Sequence, residues 1–319
     1  MLKRIMNPDR SLTMKGYCKI NLHLKVKDRR LDGYHNLESI FLALAFGDTL
    51  CFELTEDKGT CDIVMDWKTL QDAGLFPKET EILPVEKNSV YQAVSLFRKQ
   101  TGFNRGIRVY VEKRIPLGAG LGGGSSDAAS ALKALNVLAN TGLGLEALQA
   151  MAETLGSDVP FFLYGAAAWV SGRGEQIVPI GEPKDLSVVL VYPGFPSNTG
   201  EAFRLLDDIR ADEPYEPEEK LPEALIQSLL EPPKTWTYRN DFLSVFLTAG
   251  DPEAAGVYRK TLQDLDDAGA DFIGLSGSGS TCFGIFTNGG IAKKAVQAVA
   301  GKRNFVILTF PLVHFTKEV

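Results

Sequence analysis

The stretch PLGAGLGGGSSDAASAL, residues Pro116–Leu132, contains five glycines within seven positions and continues into an alanine-rich run. Glycine permits positive φ and places no side chain between the backbone and a ligand. The two serines and the aspartate are residue types that satisfy free amide donors at a helix N-terminus. A loop with inward amides that ends at the positive end of a helix is typical of anion sites. The pattern predicts a nucleotide polyphosphate site made of Pro116, Leu117, Gly118, Ala119, Gly120, Leu121, Gly122, Gly123, Gly124, Ser125 and Ser126.

Other glycine-rich nucleotide motifs do not fit this stretch. Gly118, Gly120 and Gly123 spell GxGxxG, but the dinucleotide fingerprint also needs a βαβ unit with an acidic residue about 20 positions later. No second strand ending in an acid follows here. No Gly-Lys-Ser/Thr closes the loop as in a P-loop, and the protein-kinase signatures are absent.

The composition is that of an ordinary globular protein. The chain has 319 residues, a net charge of -6 and 45% hydrophobic residues. The negative charge argues against nonspecific binding to nucleic acid or an anionic membrane. No apolar run approaches the roughly 20 residues of a membrane span, and the first residues lack an apolar signal core. The four cysteines form no CxxC pair and the three histidines no ligand cluster, so we expect free thiols in the cytoplasm and no zinc site.

Residues 17–26 alternate between apolar and polar side chains, which predicts a strand. Lys19, Asn21, His23 and Lys25 share its polar face. A solvated face is the simplest interpretation, and we adopt it for His23 and Lys25. Lys19 and Asn21 stand about 7 Å apart on that face, a spacing that suits the lining of a cleft.

Several other stretches have simple structural interpretations. Asp32-Gly33 and Gly47-Asp48 are typical of hairpin turns. Residues 55–87 are expected to form surface structure around a short hairpin, and residues 207–234 a solvated acidic connection. Asp158 precedes Val159-Pro160, where an aspartate would ordinarily cap a helix.

Three separated segments carry a resemblance to a known family. The glycine-serine stretch, KIN at residues 19–21 and LGSDVPFFL at residues 155–163 are similar to motifs of the GHMP kinase superfamily. The resemblance spans most of the chain. It implies an α+β fold with an ATP-binding domain over residues 1–185, a substrate domain over residues 186–319, and an active site in the cleft between them.

The resemblance also implies roles for particular residues. Asp158 would be the catalytic base, and Lys19 would keep it anionic and neutralise phosphoryl charge. The segment LDGYHNLES at residues 31–39 is similar to one in which a tyrosine stacks on cytosine and a histidine bonds the base edge. The implied substrate-binding residues are Asn21, Tyr34, His35, Phe195, Thr199 and, from a second glycine-serine loop, Ser278.

The implied reaction is transfer of the ATP γ-phosphoryl group to the 2-hydroxyl of a methylerythritol that carries a cytidine diphosphate group. Mg²⁺ is expected with ATP. Ser126 is a candidate ligand, and the sequence does not otherwise identify metal ligands or decide between monomer and homodimer. Two alternatives stay open. One is a superfamily kinase for another small alcohol, such as mevalonate or homoserine, and the other is a non-catalytic nucleotide-binding protein.

Overall fold

The computed structural model describes residues 10–75, 84–181, 183, 185–212, 222–301 and 305–312. The chain combines helices with largely antiparallel sheets, as α+β folds do. In chain order they are β1 (Ser11–Arg29), β2 (His35–Thr55), β3 (Cys61–Asp66), α1 (Lys68–Asp72), α2 (Ser89–Thr101), β4 (Gly106–Glu112), α3 (Gly123–Leu138), α4 (Leu145–Leu155), α5 (Phe161–Tyr164), β5 (Ala167–Gly172), β6 (Gln176–Pro179), β7 (Ser187–Tyr192), α6 (Thr199–Asp212), α7 (Pro222–Ser228), α8 (Asp241–Ala249), α9 (Pro252–Asp267), β8 (Phe272–Leu275), β9 (Cys282–Phe286), α10 (Gly289–Ala300) and β10 (Phe305–Thr309).

The first sheet has the order β3-β4-β2-β5-β6, with β1 paired to β2. All of its pairs are antiparallel except β3 with β4. Helices α2 and α3 pack against it, and α4 packs against these two helices. Their apolar faces bury Phe97 and Leu132 in a core with Phe41 and Phe52 of β2. This core fixes the position of α3 and, with it, of the glycine-rich loop that precedes α3.

The second sheet is antiparallel, in the order β10-β7-β9-β8, and packs against α9 and α10. One cluster of buried side chains contains Ile20 of β1, Leu190 of β7 and Phe283 of β9. The two sheets therefore share an apolar core. The change of sheet falls between β6 and β7 and is compatible with the proposed division after residue 185. Each of the two sheets has helices packed against it, which confirms the predicted α+β class.

The hairpin predicted at Gly47-Asp48 is wrong, because β2 runs through both residues. Gly47 lies opposite a register shift in β1. A Cβ there would stand 2.1 Å from the carbonyl oxygen of Gly16, so glycine is needed for close approach of two strands. The short hairpin expected within residues 55–87 is also not found among the residues described there. β3 instead pairs in parallel with β4, and residues 76–83 lie outside the described part.

The solvated face predicted for His23 and Lys25 is wrong as well. Both side chains are buried. The backbone amide of Arg239 lies 3.3 Å from Nδ1 of His23, and the amide of Val26 donates to Asp241 Oδ2 at 2.9 Å. The polar face of β1 is thus covered by the segment that leads into α8.

Candidate active site

The glycine-rich loop takes a path that depends on glycine. Gly118, Gly120 and Gly122 have φ values of 61°, 75° and 70°, where other residues are strained. A Cβ on Gly120 would stand 2.2 Å from the carbonyl oxygen of Ser276 and 2.5 Å from that of Gly279. Only a residue without a side chain fits at this point of contact between the two halves of the protein.

A cavity of about 230 Å³ lies along this loop. Residues 116–125 of the predicted nucleotide site line it together with Lys113. Ser126 is different, because it is buried in the first turn of α3 and does not line the cavity. The helix begins with Gly122 in the N-cap position and no side-chain cap, so the capping expected from the serines and the aspartate is wrong. The helix N-terminus instead presents backbone amides, the donors that suit phosphate oxygens.

The second glycine-serine loop is bonded directly to the first. Ser276 Oγ donates to the carbonyl oxygen of Gly120 at 2.8 Å, and the amide of Thr281 donates to that of Ala119 at 3.1 Å. Asn240 caps α8 and donates from Nδ2 to the carbonyl of Gly277 at 2.8 Å. These bonds place the second loop beside the first, as one continuous wall.

Lys19 and Asp158 come together from distant parts of the chain. Lys19 Nζ lies 3.4 Å from Asp158 Oδ2, with 4% of the lysine side chain and 32% of the aspartate side chain exposed. The ammonium donates to Asn21 Oδ1 at 2.6 Å and lies 4.6 Å from the centre of the Phe41 ring. The amide of Lys19 donates to the carbonyl of Leu121 at 3.0 Å, which fixes β1 against the glycine loop.

Asp158 does not cap a helix. Pro160 occupies the N-cap position of α5, and no side chain bonds to the helix end there. The carboxylate is instead held by Lys19 and remains partly exposed to the cavity described next. A partly solvated carboxylate beside an amine can accept a proton from a bound alcohol.

A cavity of about 700 Å³ joins these groups to the second half of the protein. Lys19, Asn21 and Asp158 line it together with Gly120 and Gly122 of the glycine loop. Other lining residues include the following predicted substrate residues: Tyr34, His35, Thr199 and Ser278. The structure therefore brings both predicted catalytic residues and most of the predicted substrate residues to one cavity.

Aromatic and charged groups surround Tyr34 and His35 in this cavity. Tyr34 is 56% exposed, and the guanidinium carbon of Arg173 lies 5.1 Å from the centre of its ring. His35 is buried and stacks on Phe203, with ring centres 4.9 Å apart and planes 15° apart. His35 Nε2 lies 2.7 Å from Asp207 Oδ1. Exposed aromatic faces next to polar groups suit the binding of a nucleobase.

Phe195 is not brought to this cavity. Its ring lies 5.6 Å from that of Tyr258, and it lines a separate cavity of about 190 Å³. Phe203, eight residues later, lines the large cavity. Thr199 and Ser278 do meet, since their hydroxyl oxygens are 2.8 Å apart.

Phe203 and Asp207 are not among the predicted site residues, and the solvated connection predicted from Asp207 onward is wrong for its first residues. Helix α6 in fact runs through Asp212. Thr199, Phe203 and Asp207 are four residues apart, which places them on one helical face, and all three line the large cavity. This four-residue spacing is the feature of the sequence that could have identified Phe203 and Asp207.

A buried charged cluster lies behind the glycine loop. Lys113 Nζ contacts Asp48 and lies 2.9 Å from Asp127 Oδ2. Asp48 also accepts hydrogen bonds from the amides of Arg114 and Ile115, which lead into the loop. Burial raises the pKa of Asp127 to about 7, and the charge of Lys113 opposes this effect. Burial alone would lower the pKa of Lys113, but Asp127 and Asp48 outweigh it and raise that pKa.

Neither a metal-binding cluster nor a transmembrane helix occurs in the part of the chain that the structure describes. The described residues contain no group of three or more His, Cys, Asp or Glu side chains arranged to hold a metal ion. In the same part of the chain, no helix combines the length and the apolar character of a transmembrane span.

Two family profiles match the sequence. The GHMP kinases N terminal domain matches residues 88–166, and the GHMP kinases C terminal domain matches residues 239–304. The first includes the glycine loop and Asp158, and the second includes the Ser276–Ser280 loop.

The chain is also similar to individual proteins. A 4-diphosphocytidyl-2-C-methyl-D-erythritol kinase of Thermodesulfovibrio yellowstonii is 35% identical over 292 residues, covering 91% of this chain and 95% of the relative. One from Enterococcus faecalis is 36% identical, over 84% and 87% of the two chains. A crystal structure of 4-(cytidine 5'-diphospho)-2C-methyl-D-erythritol kinase superposes with a TM-score of 0.72 at 29% identity, covering 93% of this chain and 98% of the other. Homoserine kinase from Cytophaga hutchinsonii, at 18% identity and a TM-score of 0.64, shares the fold.

Proposed function

The chain belongs to the GHMP kinase family, and from this premise we propose that it phosphorylates 4-(cytidine 5′-diphospho)-2-C-methyl-D-erythritol. ATP is the donor, and the acceptor is the 2-hydroxyl of the methylerythritol unit. Relatives named for this activity match nearly the whole chain at 34–36% identity, which supports the substrate. The product is a phosphate monoester needed for isoprenoid precursors of the non-mevalonate pathway.

The observation that carries the proposal is the contact between Lys19 and Asp158. The two side chains meet in a cavity that Gly120 and Gly122 of the glycine loop also line. An acceptor hydroxyl in this cavity would lie next to a carboxylate, and a γ-phosphoryl group next to an ammonium. Phosphoryl transfer depends mainly on such positioning and electrostatics, so few groups are needed.

The proposed transfer forms one bond to the γ-phosphorus and breaks another. The acceptor oxygen forms a bond to the γ-phosphorus, and the bond from that phosphorus to the bridging oxygen of ATP breaks. ADP leaves with the electron pair, and the hydroxyl proton passes to Asp158. Lys19 faces the oxygens on which negative charge is spread, and amides of the glycine loop donate to the remaining phosphates.

Mg²⁺ is the expected companion of ATP. The described residues contain no group of three or more His, Cys, Asp or Glu side chains that could hold it, and Ser126 is buried. We therefore assign no protein ligand to the metal, which commonly keeps several waters and is bound through substrate phosphates. When present, it neutralises phosphate charge.

The aromatic end of the cavity supports a substrate with a nucleobase. Tyr34 is 56% exposed and offers a ring face for stacking, and Phe203 and His35 line the same cavity. Mevalonate and homoserine have no aromatic ring that could use these groups. All four cysteines are free thiols, which supports the cytoplasm as the location.

The experiment is an ATP-consumption assay with a panel of alcohols at equal concentration. The panel contains the cytidine diphosphate methylerythritol, methylerythritol 4-phosphate, mevalonate and homoserine. We expect ADP formation with the first compound and background rates with the others. Faster ADP formation with mevalonate or homoserine would identify the protein as a kinase of the same family that acts on another alcohol. ATP binding without turnover of any alcohol would identify a non-catalytic nucleotide-binding protein.

A further inference from the structure

Asp207 is placed where it can contact a nucleobase. It lines the 700 Å³ cavity from the same face of α6 as Phe203. Its Oδ1 lies 2.7 Å from His35 Nε2, which fixes the orientation of the carboxylate. About a third of the side chain is exposed, so the group is accessible from the cavity.

The second oxygen of Asp207 has capacity for another hydrogen bond. Oδ2 lies 3.9 Å from the nearest guanidinium nitrogen of Arg29, which is beyond hydrogen-bond distance. An ionised carboxylate accepts up to about four hydrogen bonds and donates none. This side of the cavity therefore presents an acceptor held in a defined position.

Cytosine and uracil differ at the group that such an acceptor would detect. Cytosine carries a donor amino group at C4, and uracil carries an acceptor oxygen at the same position. Aspartate and glutamate accept from the cytosine amino group in known base recognition. A uracil oxygen in the same place would face the carboxylate lone pairs, and neither partner could supply a hydrogen.

We propose that Asp207 accepts a hydrogen bond from the exocyclic amino group of the substrate pyrimidine and so selects cytosine over uracil. This inference deepens the proposed function and rests on it for the identity of the base. Phe203 positions the ring plane against the cavity wall, and His35 holds the carboxylate that reads the ring edge.

The test separates base recognition from catalysis by measuring binding alone. Calorimetry on the full-length protein compares CDP, UDP and the 4-deamino analogue of CDP, which lacks only the amino group. We expect the wild type to bind CDP tighter than either analogue by on the order of 10- to 100-fold. Equal affinity for all three ligands would overturn the proposal.

The variant Asp207→Asn tests whether the preference for cytosine depends on this carboxylate. Its amide can donate to the uracil oxygen, so we expect the CDP-to-UDP and CDP-to-deamino affinity ratios to fall by about 10-fold. Asp208→Asn is the matched control, because Asp208 is an exposed neighbour on α6 that does not line the cavity. Unchanged affinity ratios in Asp207→Asn, with all ligands weakened equally, would show that Asp207 only positions His35 and does not recognise the base. That result would overturn the proposal.

Failure of this proposal is distinct from failure of the proposed function. Phosphorylation of the cytidine diphosphate methylerythritol is measured with the wild type and does not depend on the affinity ratios. A protein that phosphorylates this compound and its uridine counterpart equally well would retain the function and contradict the role of Asp207.

Discussion

The ammonium of Lys19 lies 3.4 Å from the carboxylate of Asp158, although one residue is on the first strand and the other precedes α5. The lysine is almost fully buried, while the aspartate is partly open to the cavity. This asymmetry suits a carboxylate that exchanges a proton with a bound alcohol and an amine that stays in place.

Asp158→Asn keeps the shape of the side chain and removes the base. We expect turnover to fall by about 10³-fold, in the range typical of a general base. The affinity for ATP should change by less than about threefold, since Asp158 does not line the cavity along the glycine loop. Steady-state kinetics with nucleotide binding by calorimetry measures both quantities. Glu153→Gln, on the exposed side of α4, is the control, and normal turnover in Asp158→Asn would leave Asp158 without a catalytic role.

Lys19→Met replaces the ammonium with an apolar chain of similar length. It leaves Asp158 and Asn21 without their shared donor, and the γ-phosphoryl charge without a counter-charge. We expect a loss of turnover of at least about 10²-fold, with a smaller effect on the KM for ATP. Rapid-quench measurement of a single turnover isolates the chemical step. A wild-type rate of the chemical step in Lys19→Met would show that Lys19 has no role in phosphoryl transfer.

Gly120→Ala tests the contact between the two loops. The new Cβ would overlap the carbonyl oxygens of Ser276 and Gly279 at a backbone position with φ of 75°. We expect the free energy of unfolding to fall by about 3 kcal/mol or more, combining strain and overlap. Gly142→Ala is a matched control, because Gly142 has φ of 62° and nothing within 4 Å of the new Cβ.

Urea denaturation of both variants gives the comparison. The control should lose about 1 kcal/mol from backbone strain alone. Equal losses in Gly120→Ala and Gly142→Ala would show that the loops are not held against each other at Gly120.

Asp127 gives the protein a defined pH dependence. Burial raises its pKa to about 7 in the folded protein, whereas an unfolded aspartate titrates near 3.9. Between these values the folded state holds a proton that the unfolded state releases. The free energy of unfolding contributed by this group therefore falls as pH rises, by up to about 1.4 kcal/mol per unit, and levels off above about 7.

Asp127→Asn removes this titration while keeping the side-chain shape. Urea denaturation from about pH 5 to about pH 8 should show the wild type losing more stability than the variant. Asp62→Asn, at an exposed ion pair with Arg108, should follow the wild-type profile. A wild type that gains stability relative to Asp127→Asn over this range would contradict the raised pKa.

Sequence reasoning succeeded where the physical cause is local. The glycine loop could be predicted because positive φ at Gly118, Gly120 and Gly122 is a property of glycine itself. Asn240 could likewise be expected at the start of α8, because its side chain bonds to the amides just after it.

Sequence reasoning failed where the cause is a contact between distant segments. His23 is buried by a segment 216 residues later in the chain, and alternation along β1 cannot reveal this cover. The family resemblance implied Phe195, whereas Phe203 lines the large cavity because residues 199, 203 and 207 share one face of α6. The convergence of Lys19 and Asp158 was expected only through the family resemblance, since their positions in the sequence do not imply it.

The most direct test of the central claim follows the phosphorus itself. Phosphorus NMR of the full-length protein with ATP, Mg²⁺ and the cytidine diphosphate methylerythritol reports every phosphorus atom as the reaction proceeds. We predict a new phosphate monoester signal on the 2-hydroxyl, formed in equal amount with ADP and missing in Asp158→Asn. ADP formed with inorganic phosphate alone, or an equal rate of ester formation in Asp158→Asn, would contradict the account.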